Sequence, residues 1–185
     1  MIFVATPVEG AFLIRLERRE DDRGFFARTY CVDEFEAHGI PTQQVQQSLA
    51  RSARKGTLRG MHFQREPHAE NKYVRCVRGR IFDAIVDLRP VSSSFRRVYT
   101  VELDADGGDA LFVPAGCAHG YQTLENDTDV LYAMSARYAP HAARTIRWDD
   151  PALGVAWPIA DPILSEMDRI APSLSAALAE VAAPC

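Results

Sequence analysis

The side chains of this chain best suited to chemistry begin in the stretch 56–64, GTLRGMHFQ. There Arg59 and His62 are set among the strand-forming or bulky residues Thr57, Leu58, Met61 and Phe63. A buried β-run has little reason to carry a cation and an imidazole unless something binds there. An isolated histidine in such a run is usually a satisfied core group. Here a second histidine (His119), a lysine (Lys72), a tyrosine (Tyr132) and an aspartate (Asp168) follow, each in its own apolar setting. Lys72 is the inward member of an alternating strand, and burying an ammonium is costly without a partner such as an anion or a developing oxyanion. Tyr132 shares a strand face with Val130 and Met134, which turns its ring toward the core.

The elements that must position these groups are mostly strands. Residues 1–20 read as one or two strands. DDRGFFARTY (21–30) reads as a turn at Asp21-Asp22 followed by a strand, and VDEFEAHG (32–39) as a short helix with Gly39 past its end and His38 at the surface. From residue 44 onward strands recur at short spacing with turn signals between them, which predicts a sandwich or barrel. KYVRCVRG (72–79) places Lys72, Val74 and Cys76 on one face and Tyr73, Arg75 and Val77 on the other. RIFDAIVDL (80–88) predicts Phe82, Ala84, Val86 and Leu88 inward, with Asp83 and Asp87 opposite. RVYTVEL, ALFVP, AHGYQTL and DVLYAMSARY make further strands. After Tyr138 a Pro- and Trp-rich segment without periodicity predicts an irregular wrap, and SLSAALAEVAA (173–183) a C-terminal helix.

Composition sets the bounds. The 185 residues are 47% hydrophobic, enough for one sizeable core, and the absence of repeats or linkers predicts a single domain over 1–185. A net charge of −4 with both signs interspersed gives no basic stripe for nucleic acid. The N-terminus, MIFVATPVEGAFLI, is broken by Pro7, Glu9 and Gly10, unlike a signal peptide, and no stretch is expected to span a bilayer. The four cysteines (Cys31, Cys76, Cys117, Cys185) form no CxxC pair and suit a reducing, cytoplasmic setting.

Two half-patterns, Gly56-x5-His62 and Gly108-x5-Pro114-x-Gly116-x2-His119, resemble the two motifs of the cupin superfamily, an all-β jelly roll or double-stranded β-helix, here with short flanking helices. Most cupins use these motifs to hold a metal. The second motif histidine is replaced here by Gln64, and Glu66 and Glu70 fall on either side of the expected acidic position. His62 and His119 alone leave a divalent ion short of ligands, so the expectation is no metal.

The order and spacing of DDRGFFARTY, GTLRGMHFQ, KYVRCVRGRIFDAIVDLRP, FVPAGCAHGYQTL, DVLYAMSARYAP, IRWDDPALGVAWP and LSEMD resemble the deoxysugar-nucleotide 3,5-epimerases, the dTDP-4-dehydrorhamnose 3,5-epimerase family, from about residue 5 to 172. The resemblance implies His62 as general base, with Asp168 orienting and charging it, and Tyr132 as general acid on the opposite sugar face. It implies Lys72 at the sugar carbonyl oxygen, His119 lining the sugar pocket, Arg23 and Arg59 on the diphosphate, and Gln47 and Tyr138 lining the substrate site. It also implies a homodimer in which Arg23 and Phe26 complete the partner's site, and a nucleotide-diphosphate-linked 4-keto-6-deoxy sugar as substrate.

The chemistry makes these residue types sensible. A 4-keto sugar has weakly acidic C–H bonds at C3 and C5. Inverting either carbon needs a base on one face, an acid on the other and a donor for the enolate oxygen. Imidazole is well poised to take a proton near neutral pH. No cofactor is required, because the substrate's ketone is the electron sink. Departures from the family pattern lie toward sugar and nucleotide: residues 48–53, Ser48-Leu49-Ala50-Arg51-Ser52-Ala53, replace an Asn-x-Ser-x-Ser stretch, Arg28 stands where Glu is common, and Arg137 where a second Tyr is common. The residues leave open which carbon is inverted and which nucleotide is bound. A metal-dependent cupin isomerase or oxygenase, and a non-catalytic sugar-nucleotide-binding cupin, are the alternatives.

Overall fold

The computed structural model describes residues 1–182, with side chains described to residue 179. Thirteen strands and three helices are found among them. In chain order the strands are β1 (Ile2–Ala5), β2 (Phe12–Arg15), β3 (Arg19–Asp21), β4 (Gly24–Phe26), β5 (Gln46–Ser52), β6 (Leu58–Gln64), β7 (Lys72–Arg78), β8 (Arg80–Asp87), β9 (Val98–Asp104), β10 (Ala110–Val113), β11 (Cys117–Thr123), β12 (Thr128–Met134) and β13 (Ala143–Thr145). The helices are α1 (Val32–Ala37), α2 (Glu166–Arg169) and α3 (Leu174–Ala182). The expected end of the last helix at residue 183, and Cys185, lie outside the described residues.

Two antiparallel sheets face each other. One has the order β1-β2-β10-β7-β12-β5 and the other β13-β6-β11-β8-β9; β3 and β4 form a separate hairpin. This is the predicted jelly-roll class of fold, with strands adjacent in space but distant in sequence. Val74, Cys76, Leu111 and Val130 of the first sheet meet Ile81, Ile85, Leu103 and Tyr121 of the second in the inter-sheet core. Each such aliphatic side chain contributes roughly 1.5–3 kcal/mol by leaving water.

Both sheets are also covered on their outer faces. α1 lays Phe35 over Ile14 and Phe112 of the six-stranded sheet, while Ile146, Leu153, Leu174 and Ala177 cover Met61, Phe63, Ala84, Val86 and Leu88 of the five-stranded sheet. This second cover reverses the expected facing of β8. Ala84, Val86 and Leu88 pack outward beneath the C-terminal segment, with Phe82 against Trp157, ring centroids 5.7 Å apart. The parity of Ile81 and Ile85 is the one that faces the other sheet, and Asp83 and Asp87 share it, both fully buried. Alternation separated the two faces correctly, but a strand buried on both sides has no polar face to mark the outside.

Asp87 is neutralised locally. It accepts hydrogen bonds from Arg89, Ser92 and Ser94. Burial raises its pKa, but these donors outweigh burial and hold the carboxyl down at about 2. Cys31, Cys76 and Cys117 are free thiols, and burial pushes Cys117 up to about 12, which leaves it inert. No helix among the described residues is long and apolar enough to cross a membrane.

Candidate active site

A cavity of about 510 Å³ opens between the two sheets and is lined from both. The five-stranded sheet supplies Arg59 and His62 from β6, His119 from β11 and Arg144 and Thr145 from β13; the six-stranded sheet supplies Ser48 from β5, Lys72 from β7 and Tyr132 and Met134 from β12. Ser165, Met167 and Asp168 close one side from the C-terminal segment.

The two histidines are brought together by strand register. β6 and β11 are antiparallel neighbours, and His62 lies directly opposite His119. Gly60 and Gly120 permit this approach: a Cβ on Gly60, whose φ is +142°, would sit 2.5 Å from the Gly120 Cα. His62 and Gln64 belong to the cavity side of β6, while Met61 joins the outer core and Phe63 packs in that core with an edge at the cavity.

Each histidine has a carboxylate partner. His62 Nε2 lies 2.6 Å from Asp168 Oδ1, which leaves Nδ1 as the ring nitrogen open to a ligand. Asp168 is 2% exposed, and Ser165 fixes it: the serine hydroxyl donates to Asp168 Oδ2 at 2.7 Å and accepts from the Asp168 amide at the start of α2. Burial raises the Asp168 pKa, but the bonds from His62, Ser165 and the Gly60 amide outweigh it and hold the carboxyl below its ordinary range. His119 Nε2 lies 2.9 Å from Asp83 Oδ1, and both side chains are buried.

Tyr132 stands on the opposing sheet. Its ring meets His119 edge to face at 5.9 Å between centroids and lies 6.4 Å from Tyr121. Burial first, then the neighbouring Tyr121 and Asp83, push its phenol well above the ordinary tyrosine range, so it stays protonated. Lys72 Nζ donates to the His62 carbonyl oxygen at 3.1 Å and lies 3.4 Å from Glu70 Oε1. Burial pushes the Lys72 ammonium down, and Glu70 and Asp83 push it back. Arg59 donates to Ser52 Oγ at 3.3 Å and to the Arg51 carbonyl at 3.2 Å at the rim, where Tyr138 is also exposed.

Three expected site residues lie elsewhere. Gln47 is exposed on the opposite face of β5 from Ser48, because successive side chains of a strand alternate; Ser48, paired with Tyr132 across the ladder, is the β5 residue that lines the cavity. Arg23 and Phe26 sit on the β3–β4 hairpin outside this chain's cavity, Arg23 bonded to Asp21 and Phe26 73% exposed. Sequence reasoning missed Asp83, Ser165 and the contacts of Glu70. The available signals were an acid within an apolar strand and a serine three residues before Asp168, the N-cap spacing.

The donor set does not suit a resident metal. Gln64 stands where the second motif histidine would be, and its amide is saturated by His68, Glu70, Arg137 and Ala139. Among the described residues no group of three or more His, Cys, Asp or Glu converges.

Comparison with known proteins identifies the family. Residues 5–176 match the family described as dTDP-4-dehydrorhamnose 3,5-epimerase. A protein of that name from Sinorhizobium fredii is 40% identical over 175 residues, covering 94% of this chain and 90% of the relative. The Legionella pneumophila epimerase, solved with dTDP-4-keto-L-rhamnose, is similar at TM-score 0.90 and 31% identity, covering 97% of this chain and 96% of that one. A 3'-monoepimerase from Streptomyces bikiniensis, solved with dTDP-quinovose, is similar at TM-score 0.84 and 34% identity, covering 91% and 85%. With its jelly roll and its cavity lined by both sheets, the chain belongs to the dTDP-4-dehydrorhamnose 3,5-epimerase family.

Proposed function

We propose that this enzyme epimerises a nucleotide-diphosphate-linked 4-keto-6-deoxy sugar at C3, C5 or both, with dTDP the first nucleotide to test. The observation that carries the reading is the division of labour between the sheets. The His62–Asp168 pair and the Tyr132 phenol come from opposite walls of one cavity, which also holds the Lys72 ammonium. His62 Nδ1 removes the proton alpha to the ketone. Asp168 holds the ring in the productive tautomer and stabilises the imidazolium that forms. Electron density moves onto the C4 oxygen, where Lys72 offsets the charge. Tyr132 delivers a proton to the other face of the carbon and is reprotonated on turnover. The ketone serves as the electron sink, so no cofactor takes part.

His119 forms part of the sugar pocket, and Arg59 and Tyr138 flank the entrance used by the diphosphate and nucleotide. Arg23 and Phe26 act in the cavity of a second copy in a homodimer. The exposed β3–β4 hairpin, with Phe25 50% and Phe26 73% exposed, supports this exchange, and gel filtration at micromolar concentration should give a dimer. The scattered free thiols support a cytoplasmic location.

The test is a panel of dTDP-, GDP-, UDP- and CDP-linked 4-keto-6-deoxy sugars incubated in D₂O and read by NMR. Deuterium at C3, C5 or both, with the inverted product, is expected for one nucleotide. No exchange with any member of the panel would refute the reading.

A further inference from the structure

One carboxylate of the cavity has no part in the mechanism above. Glu70 lies in the connection before β7, and its side chain is 8% exposed, against 9% for Lys72. Its Oε1 is 3.4 Å from Lys72 Nζ, and its Oε2 accepts from Gln64 Nε2 at 3.0 Å. Gln64 is itself held on every side. The same Nε2 donates to the carbonyls of His68 at 3.0 Å and Arg137 at 3.2 Å, and Oε1 accepts from the Ala139 amide at 2.6 Å. Gln64 follows His62 by two residues on β6, and the His62 carbonyl is the other acceptor for Lys72. A single run of bonds therefore joins the strand that carries the imidazole to the ammonium.

The choice of cation is informative. The chain has 19 arginines and only two lysines, Lys55 and Lys72. Arginine keeps its charge under any burial, whereas a buried lysine readily loses its proton. A lysine used as an oxyanion donor in a cavity must therefore be held in its charged form. The ionisable groups around it are Glu70 from the preceding connection, His62 on β6, Asp83 on β8, His119 on β11 and Tyr132 on β12. Tyr132 stays neutral, and Asp83 is committed to His119. Glu70 is the carboxylate within ion-pair distance of Lys72.

We propose that Glu70, clamped by Gln64, is a positioning residue that keeps Lys72 protonated and fixed in the cavity. The inference rests on the reading of Lys72 as oxyanion donor for its catalytic meaning, but its physical content is measurable without substrate. Protein labelled with ¹³Cε-lysine gives two resonances, and the exposed Lys55 is an internal reference. In Glu70→Gln, which keeps an acceptor for Gln64, the Lys72 titration midpoint should fall by about one pH unit relative to the native chain. Glu70→Asp should recover part of that shift. Glu66→Gln, an exposed acid in the same connection, should leave the midpoint unchanged. An unchanged Lys72 midpoint in folded Glu70→Gln would overturn the proposal. The alkaline limb of kcat for C–H exchange should move down by the same amount in Glu70→Gln. A lowered NMR midpoint with an unmoved alkaline limb would leave the role of Glu70 standing and refute that of Lys72 as oxyanion donor.

Discussion

Two histidine–aspartate pairs sit side by side in this cavity with nearly equal spacing and unequal access. His62 and Asp168 are 2.6 Å apart and 106 residues apart in sequence; the imidazole is 43% exposed and the carboxylate 3%. His119 and Asp83 are 2.9 Å apart on neighbouring strands, with exposures of 4% and 0%. Both pairs have the components of a general base. Only the first offers a free ring nitrogen at an accessible surface, with its carboxylate backed by a capping serine. The second is shut in by Tyr121 and Tyr132. On the proposed mechanism, access to a substrate proton, more than pairing itself, is what distinguishes His62 from His119.

This contrast is sharpened by exchanging the aspartates. Asp168→Asn should lower kcat by on the order of 10³–10⁴, because an amide favours the wrong imidazole tautomer, and should cost less stability than loss of a fully buried pair, because the His62 ring is 43% exposed. Asp83→Asn should cost more stability, roughly 3 kcal/mol, by breaking a fully buried pair, with kcat falling only about tenfold or less. Steady-state kinetics and urea unfolding on the two variants measure both effects, and matching losses of kcat would erase the distinction.

Tyr132→Phe should slow formation of the inverted product by about 10²-fold. It should also uncouple inversion from exchange, since His62 can still remove a proton and return deuterium to the same face. NMR of the sugar C3 and C5 signals in D₂O separates the two events. Gly60→Ala should cost roughly 1–3 kcal/mol in urea unfolding by forcing β6 away from Gly120, and should raise KM because the register of His62 against His119 is loosened.

The smallest expected effect is on acid stability. Asp168 is held below its unfolded value, so it contributes stability that is fully present above the ordinary carboxylate range and is lost as pH falls through its folded value. Asp87 at the end of β8 does the same, its contribution declining from near pH 4 toward about 2. Urea midpoints taken from pH 6 to pH 2 should fall less steeply in Asp168→Asn than in the native chain.

How much of this was legible beforehand depends on what each residue leaves in the chain. Lys72, His62, His119 and Tyr132 stand out because charged or polar groups interrupt apolar strands, and register carries them to one place. Asp83 did not, because β8 is covered on both faces and its alternation reads equally well either way. Gln47 shows that matching a motif position does not fix which face of a strand a side chain takes. The role of Ser165 and the cover formed by Leu153, Leu174 and Ala177 depend on contacts across most of the chain, which local periodicity does not record. Arg23 and Phe26 lie on a hairpin that this cavity does not explain, and a second copy is their proposed setting.

The most direct test of the whole account is deuterium incorporation at C3 and C5 of the dTDP-linked 4-keto-6-deoxy sugar by His62→Ala, with fold confirmed by circular dichroism. The account predicts exchange indistinguishable from the enzyme-free control. Exchange at the native rate would show that another group takes the proton and that the accessible imidazole is not the base.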